Sequence, residues 1–189
     1  MSADPSATSA RPVRRERRWL PVLAVVAVIA FVDGGAKLAG AGQDEAAGPT
    51  RVVGDAVRIR PLSGWAASQP PGAPLPELVL TRGAVTLDVV EVPGATRADE
   101  LAARYVQEVL RPRFEGLTLG QQDAGTLASG LPALRFGYIG IADGVSIEGV
   151  ATVAVVTTTG AVFDAFAPKG DLAWAASDLD TMIDGAEVG

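Results

Sequence analysis

Three carboxylates, Asp178, Asp180 and Asp184, gather near the C-terminus of this 189-residue chain, and their spacing raises the question of a calcium site. Two more, Glu148 and Asp164, fall on neighbouring apolar segments, where they invite comparison with the acid/base pair of a glycosidase. The aspartates lie in a helical pattern, not in a glycine-turned loop of oxygen ligands, and so read as a solvated helix face. The Glu148/Asp164 pair would have to hold its carboxyls about 5 to 9 Å apart, and nothing in the sequence sets that distance; carboxylates facing solvent from a strand are the commoner arrangement. Trp65, Trp174 and Tyr138 offer the contact area and polar tips of a ligand pocket. The alternative is that Trp65 closes one end of the core and Trp174 covers a sheet. The glycines between Gly116 and Gly130 run through a polar segment without a strand-to-helix phosphate cradle and read as turn glycines.

The chain contains no histidine and no cysteine. Imidazole-based triads, histidine-ligated zinc, thiolate nucleophiles and disulfides are therefore all outside its chemistry. No catalytic residue, metal set or cofactor is assigned from the sequence, and the expectation is a non-catalytic protein. The formal net charge is −6, yet basic residues are concentrated before Trp19, so the body is more acidic than the whole. Nucleic acid is a disfavoured partner, because phosphate binding needs a basic face.

Those N-terminal basic residues include Arg14, Arg15, Arg17 and Arg18, which precede an apolar run containing Trp19, Leu20, Val22, Leu23, Val25, Val26, Val28, Ile29, Phe31 and Val32. A basic flank before an apolar segment sets membrane topology, with the arginines cytoplasmic and the remainder translocated. Trp19 to Val32 spans roughly 21 Å as a helix, less than the hydrocarbon thickness of about 30 Å. Continued through Ala41, the helix reaches about 23 residues and can span as a single-pass anchor. The competing reading is a signal peptide cleaved after Ala39-Gly40-Ala41, which would release a secreted protein. The resulting plan is a basic, disordered cytoplasmic tail (1–18), a transmembrane or signal segment (19–41), a linker (42–50) and an extracytoplasmic domain (51–189).

Within that domain, Val57-Arg58-Ile59-Arg60 alternates as a strand before a corner at Ser63-Gly64, and Ser68 to Pro76 is a proline-rich loop. Glu77–Thr81 and Ala84–Val92 form two strands about Arg82-Gly83, with Leu87, Val89 and Val90 facing the core. Thr96 and Asp99 form a capping box for a helix whose stripe is Leu101, Ala102, Tyr105, Val106, Val109 and Leu110, and Pro112 ends it. Leu134–Ile141 and Val145–Thr157 form a hairpin about Asp143-Gly144, the dipeptide that a type I′ turn prefers. A strand over Ala161–Ala167 follows, and Asp171 caps a last helix bearing Leu172, Ala175, Ala176, Leu179, Met182 and Ile183. The sum is α+β: one antiparallel β-sheet packed with helices.

Four phrases carry a family resemblance: Ser63-Gly64-Trp65, Gly130-Leu-Pro-Ala-Leu-Arg-Phe-Gly-Tyr138, Glu148-Gly149 and Phe163-Asp-Ala-Phe-Ala-Pro168. From about Val57 to Val188 the chain resembles the PsbP/Mog-type group, and within it the small, membrane-anchored extracytoplasmic members of actinobacteria. The resemblance implies an antiparallel sheet flanked by helices and a non-catalytic binding role, and it transfers no catalytic residue; together with the export signal and the missing chemistry it gives the expectation of an accessory module that docks on another envelope protein. The alternative is a secreted or tethered binder of a small lipid or cell-wall-derived ligand.

Overall fold

A computed structural model describes residues 48–189. The topology-determining Arg14, Arg15, Arg17 and Arg18 and the membrane-segment residues Trp19 to Val32 lie outside the described residues. No helix among the described residues is long and apolar enough to cross a membrane.

Seven strands form one antiparallel sheet in the order β3-β4-β5-β9-β8-β7-β6, comprising β3 (Ala66–Ser68), β4 (Glu77–Arg82), β5 (Val85–Pro93), β6 (Glu115–Thr126), β7 (Pro132–Ala142), β8 (Val145–Val156) and β9 (Thr159–Pro168). A second sheet of three short strands joins β1 (Arg51–Val53), β2 (Val57–Ile59) and β10 (Glu187–Val188). Helix α1 (Ala98–Tyr105) runs through a π turn (Val106–Leu110) into the short α2 (Arg111–Arg113), and α3 (Ala176–Asp184) follows a 3-10 turn (Ala173–Ala175).

The large sheet carries a core on each face over its central strands, because those strands have apolar side chains at both parities. One face packs Leu87, Val89 and Phe163 against α3 and the small sheet, through Leu179, Met182, Val53, Val57 and Ile59. The other packs Phe136, Ala151, Val153 and Val162 against α1, through Leu101, Ala102, Val106 and Leu110. The helical stripe expected for α1 is thus the buried one. Val90 differs from its neighbours Leu87 and Val89 in facing the α1 side, where it is partly buried.

The β7–β8 hairpin turns at Asp143 (φ 50) and Gly144 (φ 78), the positive pair that a type I′ turn requires. Several local expectations are corrected. Neither α1 nor the C-terminal helical segment has a side-chain cap: Arg97, not Thr96, occupies the N-cap of α1, and its guanidinium bonds Asp99. Asp171 caps nothing among the described residues; the turn leading into the C-terminal segment is instead held by Glu148 from β8, whose Oε1 accepts the Gly170 and Leu172 N–H groups at 2.9 and 3.2 Å. Pro112 lies inside the final turn of the first helix and does not end it; the chain widens into the π turn just before the residue that has no N–H to give.

Of the segment read as turn glycines, Gly130 does sit in the β6–β7 turn (φ 81), but Gly116, Gly120 and Gly125 belong to the edge strand β6, which is bulged between Glu115 and Thr118 and again between Leu119 and Gln122. Its side chains are nearly all exposed, so no alternation marks it in the sequence. Bulges and polar side chains are also how a free edge resists pairing with other chains.

Candidate functional site

Charged side chains cluster beneath the C-terminal end of the α1–α2 segment. Asp88 on β5 and Asp164 on β9 are direct cross-strand partners and point to the same face. Asp164 is completely buried, at 0% exposure. Its two oxygens accept one hydroxyl each, from Tyr105 at 2.8 Å and from Tyr138 at 2.8 Å. Asp88 accepts Arg113 Nη1 at 2.9 Å. The Arg113 guanidinium lies 4.1 Å from the Phe166 ring centroid and 5.4 Å from that of Phe114, and these two rings stack edge-on over the cluster.

The π turn explains how one helix supplies both a tyrosine and an arginine to this place. Tyr105 and Arg113 are eight residues apart, and that spacing turns about 80° away from alignment in a regular α-helix. The additional residue accommodated by a π turn makes the interval behave like seven, bringing the two within about 20° of one face. Opposite them, Gly149 lies across from Tyr138 in the β7–β8 register, and a Cβ there would collide with the phenol ring. This glycine makes room for the ring that reaches Asp164.

Two carboxylates and one guanidinium share a buried space, so full ionisation would leave an unbalanced negative charge. Burial raises the Asp164 carboxyl to about 6, helped by Asp88 and opposed by Arg113 and the two tyrosine hydroxyls. Burial also raises Asp88, with Arg113 opposing it. On β4, Glu77 is raised by burial and then by Asp88. Both phenols are pushed well above their ordinary range, by burial first and then by Asp164. The consequence is a carboxyl at Asp164 that takes up its proton at about 6, well above the ordinary carboxylate range, in a group held by its partners beneath the helix.

The residues singled out from sequence are distributed differently. Glu148 and Asp164 project from opposite faces of the sheet, since Asp164 pairs with Ala151 and Glu148 with Ala167, at opposite parity. They cannot act as a pair. Trp65 and Tyr138 likewise belong to the cores on opposite faces, so no shared pocket forms. Trp65 closes the α3-side core and donates from Nε1 to Asp178 at 3.1 Å, whereas Trp174 is half exposed beneath the Arg82 guanidinium. Of the C-terminal aspartates, Asp178 also accepts Arg82, and Asp180 accepts Arg135 at 2.8 Å. They pin α3 to the sheet. Among the described residues no group of three or more acidic side chains is placed to hold a metal.

Asp88, Tyr105 and Arg113 were not anticipated as site residues. Tyr105 reads as one more apolar position of the helical stripe. Asp88 carries a signal in the sequence, a carboxylate in the middle of the apolar run Val85–Val92, as does Asp164 within Ala161–Ala167. A buried carboxylate requires a donor, but strand parity alone does not name it.

No family model and no curated protein matches this chain. Solved structures do. Cyanobacterial PsbP (CyanoP) from Synechocystis sp. PCC 6803 is similar over 80% of this chain and 99% of that one, with a TM-score of 0.58 and 17% identity. LpqN of Mycobacterium tuberculosis, described as involved in cell envelope biogenesis, is similar over 70% of this chain and 82% of that one, with a TM-score of 0.54 and 14% identity. The described domain therefore has a PsbP-like α+β fold.

Proposed function

We propose that this chain is a non-catalytic accessory module of the bacterial cell envelope, held by its N-terminal apolar segment in the membrane with the PsbP-like domain extracytoplasmic, and docking on another envelope protein. The carrying observation is an uncovered part of the large sheet. On the α3-side face of β7, Ile139 and Ile141 are 50% and 44% exposed. Their cross-strand neighbours Thr118, Glu115 and Ser146 are exposed too, and β6 beside them has a free edge. Apolar side chains rimmed by polar ones on a rigid sheet suit a protein partner. The envelope role given for LpqN agrees with this reading.

A photoreactive phenylalanine analogue at Ile139 tests it in native membranes, with the same probe at exposed Arg104 on the far side of α1 as control. One discrete envelope protein captured from position 139 and not from 104 is the expected result. Equal or empty capture at both positions would sink the docking reading and favour a small lipid or cell-wall-derived ligand.

A further inference from the structure

The small sheet presents a second surface, facing away from the core. Val57 and Ile59 are buried, so Arg58 and Arg60, which alternate with them, point outward. Val52 of β1, directly opposite Arg58, shares this outer face and is 48% exposed. No ion pair among the described residues engages these arginines, whereas Arg97, Arg113 and Arg135 are all paired with carboxylates. Glu187 stands across from Arg58 on β10, and the face stays net positive on an otherwise acidic domain.

This face is where the chain enters. The Gly48 N–H donates to the Pro61 carbonyl at 2.7 Å, fixing the start of the domain next to Arg60. From Ala41, the end of the apolar segment, to Gly48 is seven residues, a reach of no more than about 25 Å. We infer that the outer face of the small sheet, through Arg58 and Arg60 with Val52 beside Arg58, rests on the anionic phospholipid surface of the membrane that holds the N-terminal segment.

The inference rests on the tethered reading and adds an orientation to it. A short tether brings the entry point near the bilayer, and a domain that is acidic overall approaches anionic headgroups best through a face that is net positive. Arginine forks match phosphate geometry, and an exposed valine among them can enter the headgroup layer. Held this way, the entry face is turned to the lipid.

The chain has no cysteine of its own, so a fluorophore can be placed at a single site by Val52→Cys, with Arg104→Cys as the control. The full-length protein is reconstituted in nanodiscs of phosphatidylcholine with or without phosphatidylglycerol, and quenching by a headgroup nitroxide lipid is measured. The label at 52 should be quenched at least several-fold more than the label at 104 in anionic discs. That difference should collapse in zwitterionic discs and when Arg58 and Arg60 are both changed to glutamine. Equal quenching at both sites, or a difference indifferent to lipid charge or to the arginines, overturns the inference while leaving the tether intact. Protein that does not co-purify with the discs refutes the tether and the inference together.

Discussion

Asp164→Asn removes the buried acid that the folded state protonates well above the ordinary carboxylate range, and its consequence can be worked out in sign and size. The folded carboxyl titrates at about 6 against an ordinary value of 3.8. As pH rises, the unfolded chain releases this proton before the folded one does. The stability contributed by protonated Asp164 is therefore complete below the ordinary value and is lost as pH climbs through the folded value. The interval of roughly two pH units, at 1.36 kcal/mol for each, amounts to about 3 kcal/mol, a large share of a typical domain stability of about 5 to 15 kcal/mol. Asparagine keeps the shape, accepting from one tyrosine and donating to the other hydroxyl. Urea unfolding of the full chain, followed through the fluorescence of buried Trp65 from about pH 4 to about pH 8, compares the two proteins. Wild type should lose about 2.5 kcal/mol more than the variant over that range, since at about pH 4 the unfolded carboxyl is already partly ionised. A remaining decline in the variant is expected, because Glu77 and Asp88 are raised in the same direction. Parallel curves, or wild type gaining on the variant through neutrality, would refute the assignment of the retained proton to Asp164.

The donors to Asp164 and the space they occupy give two more tests. Tyr105→Phe and Tyr138→Phe each take one hydroxyl from the carboxylate and should cost about 1.5 to 3 kcal/mol above neutral pH, and less in acid; since each hydroxyl favours the ionised form, either change should also move the Asp164 titration upward, read by carboxyl NMR. Gly149→Ala should drive the Tyr138 ring off Asp164 and destabilise the domain by about 1 to 3 kcal/mol, and a Gly149→Ala, Tyr138→Ala double variant that does no worse than Tyr138→Ala alone would confirm the collision.

What the sequence determined by itself follows from periodicity and turn chemistry. Short apolar runs bounded by turn residues predict β4, β5, β7, β8 and β9, and Asp143-Gly144 sets the register of a hairpin because only such residues tolerate two positive φ angles. The α1 stripe was equally plain, and so was the absence of imidazole and thiol chemistry. Strand β6 was hidden because an exposed, bulged edge strand has no buried face to write into its residues, and β1 and β10 are too short to carry a period.

The cluster around Asp164 lay beyond reach for a different reason. Asp88 and Asp164 are 76 positions apart and meet only because β5 and β9 pair in one particular register. Tyr105 and Arg113 meet them only because a π turn shifts the helical phase by one residue. Placing Glu148 and Asp164 on opposite faces likewise needed the register, since a one-residue change in pairing reverses every side chain. Local residues decide which elements form. Which side chains share a buried space is decided when the strands align, because desolvating a carboxylate is tolerable only where the completed fold brings it a donor.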